Sequence, residues 1–161
     1  MKYNKAIFPG SFDPITLGHI DLIESSLTLF DQIIIGVGIN KEKKYMFNIK
    51  DRKHFIELVF KNEKRIIVKE YQGLTTDFCK QEKVTHIIRG IRNNIDLEYE
   101  KTIAFTNSRL NKKIKTIFLL ATNKYHFISS SVVRDIILSK GHLDSFLPKE
   151  VIDEILNKNL I

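Results

Sequence analysis

Cysteine occurs once in these 161 residues, at Cys79. That excludes an internal disulfide and fits a reducing compartment, so a cytoplasmic location is expected. Cys79 falls in a predicted helix, where a packed or partly exposed thiol is expected rather than a nucleophile. No apolar run approaches the ~20 residues that a membrane-spanning helix needs. Met1 to Asn4 are polar and lead directly into a predicted strand, so no signal peptide is expected. No Pro/Gly/Ser-rich linker, repeat or low-complexity stretch divides the chain, which reads as one domain over residues 1–161 with a sizeable core. The five histidines are dispersed and no carboxylates group with them, so no metal-ligand cluster is expected. There is also no long basic tract. The net charge is +7, but the lysines are scattered (Lys41, Lys43, Lys44; Lys61, Lys64; Lys112, Lys113, Lys115) and show no aromatic–basic interleaving. Such a surface suits phosphorylated small molecules rather than nucleic acid.

What is present is the balance of a soluble globular protein, 43% hydrophobic and 28% charged. Short Ile/Val-rich runs at 5–8, 32–39, 65–69, 85–88 and 115–121 alternate with segments of helical period. Ile33-Ile34-Ile35 and Ile117-Phe118-Leu119-Leu120 show no apolar/polar alternation, which predicts strands covered on both faces. The helix starts are recognisable: Thr16 before Ile20, Ile23, Leu27 and Phe30; Asn48 with Asp51 as a capping box; Thr76; Asn94; and Ser129 or Ser130. Lys140-Gly141 reads as a glycine C-cap, and Pro148 as the first turn of a last helix over 150–156. The pattern predicts an α/β fold: a doubly wound, Rossmann-like, five-stranded parallel sheet with helices on both faces. Ligands of such sheets bind at the carboxyl ends of the strands.

The densest signal is the run 8–19, Phe-Pro-Gly-Ser-Phe-Asp-Pro-Ile-Thr-Leu-Gly-His, between the first strand and the first helix. Gly10 permits a tight turn and close approach of a ligand. Pro9 and Pro14 stiffen the loop, and Gly18 and His19 fall in the first helical turn, where free amides and the helix dipole favour an anion. Ser11 and His19 converging there suit a nucleotide phosphate. The run is neither a Walker loop, because no Gly-Lys-Ser/Thr comes after it, nor GxGxxG.

This run resembles the TxGH/HxGH signature of the nucleotidyltransferase superfamily, and specifically the bacterial phosphopantetheine adenylyltransferase family. The resemblance spans nearly the whole chain. It recurs at Lys43-Lys44-Tyr45-Met46-Phe47, Arg89-Gly90-Ile91-Arg92-Asn93, Asp96-Leu97-Glu98-Tyr99-Glu100 and Phe127-Ile128-Ser129-Ser130-Ser131. It implies transfer of the adenylyl group of ATP to 4′-phosphopantetheine, giving dephospho-coenzyme A and pyrophosphate, with in-line attack and no covalent enzyme intermediate. It implies that His19 is the catalytic donor to the α-phosphate. ATP would be bound by Ser11, Phe12, His19, Gly90, Ile91, Arg92, Glu100, Tyr125, His126, Phe127, Ile128, Ser129, Ser130 and Ser131. The acceptor would be bound by Ser11, Lys43, Thr75 and Arg89. Magnesium would be carried mainly by the ATP phosphates, and the assembly would be a homohexamer. Two departures from the family stand out: Tyr45 replaces a common proline, which predicts a less rigid loop, and Tyr125-His126 replaces a frequent Trp-Ser pair.

Three other readings compete. A CTP- or nicotinate-nucleotide-dependent relative would often carry a histidine where Thr16 stands. A non-enzymatic nucleotide binder would need no His19, and an oligomeric scaffold would need neither Ser11 nor His19.

Overall fold

The structure is a computed structural model, which describes residues 4–158. Five strands, β1 (Lys5–Gly10), β2 (Gln32–Ile39), β3 (Ile66–Gln72), β4 (His86–Ile91) and β5 (Lys115–Leu120), form one parallel sheet in the order β3-β2-β1-β4-β5. Helices α1 (Leu17–Ser26), α2 (Ile49–Val59), α3 (Thr75–Glu82) and α4 (Asn94–Leu110) connect successive strands, and α5 (Ser130–Leu138) and α6 (Lys149–Asn157) come after β5.

Period-2 geometry divides the strand side chains between two cores. Ala6 and Phe8 of β1, with Ile33, Ile35 and Val37 of β2, face a large cluster completed by α1, α2, α5 and α6. Ile7 and Ile34 face the other way, into a smaller cluster with Phe78, Cys79, Val84, Ile87 and Ile114. Burial on both faces is the reason β1 and β2 carry unbroken apolar runs. β5 lies at the sheet edge with no fully buried residue, so the two-faced cover expected for Ile117-Phe118-Leu119-Leu120 is not found. Cys79 is fully buried there, and desolvation pushes its thiol up to about 11, so it is a packing residue.

The sheet opens where the strand order reverses. β1 pairs with β2 along its whole length, from Lys5 opposite Gln32 to Gly10 opposite Val37. Against β4 it pairs only at Ala6–His86 and Ile7–Ile87. Beyond those residues the two central strands part, and their carboxyl ends leave a crevice at the topological switch point.

Several helix ends differ from the sequence reading, each for a local reason. Asn48 caps α2 by accepting from Asp51 N–H at 3.0 Å, but Asp51 answers to the Asn48 side-chain amide rather than its backbone, so the box is not reciprocal. Helix α3 begins at Thr75, one residue early, after Leu74, whose side chain supplies no cap; Thr76 is buried instead. α4 is capped by Asn93 rather than Asn94, through Asp96 N–H at 2.9 Å. After α5 the left-handed residue is Lys140 (φ 54°), not Gly141, whose N–H closes the end on the Ile136 carbonyl at 2.9 Å. Pro148 is the N-cap of α6 and lies just outside its first turn.

Candidate active site

Thr16 and His19 form a reciprocal capping box at the start of α1. The backbone N–H of Thr16 donates to His19 Nδ1 at 3.1 Å, while Thr16 Oγ1 accepts from His19 N–H at 3.4 Å. Because Nδ1 accepts, the neutral ring carries its proton on Nε2. Burial, and then the positive charges of Arg92 and Arg89, lower the His19 pKa from 6.5 to about 4. At neutral pH the ring is therefore an uncharged Nε2–H donor. Phe12 holds its face, with ring centroids 5.1 Å apart. Phe12 itself is buried at φ 48°, a backbone region that a bulky residue occupies only at a cost of roughly 1–3 kcal/mol.

A cleft of about 370 Å³ fills the crevice between β1 and β4. It takes Ser11, Phe12 and His19 from the signature run, Gly90, Arg92 and Glu100 from β4 and the start of the β4–β5 crossover, and Tyr125, Ile128, Ser129, Ser130 and Ser131 from the approach to α5. The first turns of α1 and α5 both open onto it, with Gly18 and His19 on one and Ser130 and Ser131 on the other. The serines also have local partners. Ser129 Oγ caps Val132 N–H at 3.2 Å, Ser130 Oγ donates to the Pro14 carbonyl at 2.9 Å, and Ser131 Oγ accepts from Arg134 at 3.4 Å.

The two arginines of the fourth-strand motif are held by carboxylates. Arg89 makes a two-point contact with Glu100, Nε to Oε2 at 2.7 Å and Nη2 to Oε1, and its Nη1 donates to the Pro9 carbonyl at 2.6 Å across the opening between β1 and β4. Arg92 Nε meets Asp96 at 2.8 Å. Glu100 is thus the anchor of Arg89 as well as a wall of the cleft. Three residues of the nucleotide set do not line it. Ile91 is buried in the sheet, His126 bonds the Asn123 carbonyl through Nδ1 at 2.9 Å, and Phe127 is exposed and packs edge-on to Phe146.

A second pocket, of about 270 Å³, adjoins the first. Lys43 and Tyr45 line it with Gly38, Asn40 and Tyr71, and it shares Gly10, Ser11 and Arg89 with the cleft. Thr75 stands behind it, its hydroxyl 3.1 Å from the Tyr71 hydroxyl. Tyr45, expected to leave its loop less rigid than a proline would, is held at two points: its ring lies over the Arg52 guanidinium at 3.9 Å, and its hydroxyl accepts from Asn40 N–H at 3.1 Å. Thr16 as the orienting partner of His19, Asp96 as the partner of Arg92, and Tyr71 were not singled out from sequence. Asp96, four residues after an arginine, and Thr16, a helix start three residues before His19, carried readable signals; Tyr71 carried none.

A parallel sheet open at its switch point, with His19, Arg89 and Arg92 converging on it, is the layout of a nucleotide-binding α/β site. The cytidylyltransferase-like family profile matches residues 7–136. Phosphopantetheine adenylyltransferase of Flavobacterium psychrophilum is 55% identical over 147 residues, covering 91% of this chain and 97% of that protein. The protein of the same name from Flavobacterium johnsoniae is 52% identical, covering 91% and 96%. Among solved structures, Plasmodium falciparum nicotinic acid mononucleotide adenylyltransferase shares the fold at a TM-score of 0.72 and 20% identity, covering 98% of this chain and 96% of that one. The chain belongs to the phosphopantetheine adenylyltransferase family, within the cytidylyltransferase-like nucleotidyltransferases.

Proposed function

We propose that the protein transfers the adenylyl group of ATP to 4′-phosphopantetheine, releasing pyrophosphate and forming dephospho-coenzyme A, as a step of coenzyme A synthesis. The observation that carries this reading is the meeting of two pockets on Gly10, Ser11 and Arg89. ATP occupies the larger cleft, with its triphosphate over the first turns of α1 and α5. The acceptor occupies the smaller pocket, with Lys43 and Arg89 on its phosphate, Ser11 at the junction and Thr75 on its pantetheine arm. The incoming phosphate oxygen attacks the α-phosphorus in line and the bond to the β-phosphate oxygen breaks. An anionic phosphate needs no general base, so the chain's work is positioning and charge stabilisation.

His19 donates Nε2–H to the α-phosphate as charge builds there, and being neutral it does so without surrendering a proton. Arg92, which lines only the nucleotide cleft, receives the departing pyrophosphate. Magnesium enters with ATP as part of the substrate, since the carboxylates of Asp96 and Glu100 are committed to arginines. Among the described residues no group of three His, Cys, Asp or Glu is arranged to hold a metal. The protein works as a homo-oligomer, a hexamer, in the cytoplasm. Among the described residues no helix is long and apolar enough to cross a membrane. The test is pyrophosphate release from ATP plus 4′-phosphopantetheine, with CTP as control. Activity with CTP, or none with phosphopantetheine, overturns the reading.

A further inference from the structure

Arg52, the fourth residue of α2, is the one fully buried lysine or arginine among the described residues, at 1% exposure. Its Nη1 donates to two carbonyls, that of Ser11 at 2.5 Å and that of Gly38 at 3.2 Å. Its guanidinium plane carries the Tyr45 ring, and its Nε is buried with no hydrogen-bond partner. Among the described residues it forms no ion pair with a carboxylate. Desolvation lowers its pKa, with Tyr45, Asp13 and Glu70 opposing through space. A buried cation without a close counter-ion is costly to desolvate, so stability alone is a poor account of it.

Its contacts point elsewhere. Gly38 and Tyr45 bracket the exposed loop that carries Lys43, and Ser11 is one of the three residues shared by both pockets. The far end of that loop is tied to the same run by Asp13, itself 2% exposed. The Asp13 carboxylate accepts the N–H groups of Met46 and Phe47, each at 2.9 Å, and lies 3.7 Å from Arg134 Nη1. Arg134 Nη1 also holds the Asp13 carbonyl at 2.9 Å, which fastens this knot to α5.

We propose that Arg52 is a positioning residue that, with Asp13, clamps the Lys43 loop at both ends against the Ser11–His19 run and so fixes the span between the acceptor pocket and the nucleotide cleft. The identity of the acceptor rests on the function proposed above; the clamp does not. An arginine is required because one nitrogen must reach carbonyls on two segments while the guanidinium plane lies against the Tyr45 ring. Lysine keeps the charge but loses that geometry.

The test uses Arg52→Lys, Arg52→Met and Asp13→Asn in the full-length protein, with two readouts. In steady-state kinetics the KM for phosphopantetheine rises roughly tenfold or more in Arg52→Met and less in Arg52→Lys, while the KM for ATP stays within about twofold, since misplacing one partner by an ångström is enough for such losses. In ligand-free hydrogen exchange, amides 40–47 exchange faster in Arg52→Lys and Asp13→Asn, while those of β1 and β2 hold their wild-type rates. A parallel rise of both KM values, activity that falls only with the folded fraction, or unchanged exchange at 40–47 would overturn the proposal. If Arg52→Met does not fold, Arg52→Lys and Tyr45→Leu carry the same comparison. If the wild-type protein does not use phosphopantetheine, the proposed function fails, and the exchange measurement still decides the clamp.

Discussion

Thr16 gives its backbone N–H to one nitrogen of His19 and thereby decides what the other can do. A ring held this way should appear in nitrogen NMR as the Nε2–H tautomer, and its titration midpoint should lie near 4, not near 6.5. A midpoint above 6 would contradict the assignment. The same shift has a consequence for stability. Between about pH 6.5 and 4 the unfolded chain binds a proton at His19 that the folded chain refuses, so stability falls as pH falls through that window. His19→Gln should lose less stability than wild type over that range in pH-dependent thermal melts; parallel curves would sink the idea. Under the function proposed above, His19→Ala should lower turnover by roughly 10²–10³, the usual effect of deleting one preorganised donor, with ATP still bound in calorimetry. Near-normal turnover in the alanine variant would rule His19 out as that donor. His19 was readable because Gly18 and a stiff, glycine-containing run precede it. Its tautomer was not, because the capping-box spacing is read from a Glu or Gln at the third helical position, and a histidine there does not announce that its ring folds back onto the cap. Arg52 was invisible for a related reason: in sequence it is one more cation on an amphipathic helix, and only the fold brings Ser11, Gly38 and Tyr45 around it.

Helix α1 meets the end of β4 at closer range than side chains normally allow. A Cβ at Gly90 would lie 2.3 Å from Leu22 Cδ1. Gly90→Ala should therefore turn the Leu22 methyl off its rotamer into the cleft that both residues line, at a cost of about 0.5–1.5 kcal/mol in denaturant unfolding. Leu22→Ala opens a gap of its own, so the two changes together should destabilise less than their sum. Simple additivity would show that the helix shifts instead. At this scale the sequence was most legible where burial acts on every residue. The apolar runs marked the central strands most clearly because β1, β2 and β4 are covered on both faces, as Ile33, Ile34 and Ile35 show by alternating between two cores, whereas the edge strands β3 and β5 hold no fully buried residue. Helix ends were less legible because one residue's backbone decides them. At the end of α5, Lys140 takes the left-handed conformation one place before the glycine better suited to it. At α3, Leu74 occupies a cap position that its side chain cannot serve, so no capping residue announced the start.

The whole molecule leaves apolar side chains uncovered along one helix and the neighbouring edge strand: Ile95 at 82% exposure, Phe105 at 69% and Leu110 on α4, and Leu120 at 77% at the end of β5. Surfaces of this kind mark association sites. The surplus of seven positive charges opposes assembly, so the apolar faces must supply the contact. Light scattering at micromolar concentration should give an oligomer, six copies under the proposal above, and Phe105→Glu should reduce its mass. A monomeric wild type would defeat this expectation. The common rim of the two pockets carries a different consequence. A ligand that fills one pocket loses its translational freedom for that set of contacts alone. A single molecule with an adenosine head and a pantetheine tail, joined through phosphate, loses it once and gains both sets, with its second half delivered at the effective concentration of a short tether. The proposed reaction makes such a molecule. Under the proposal above, that product should be held more tightly than 4′-phosphopantetheine and its release should limit turnover, which a pre-steady-state burst of pyrophosphate would reveal.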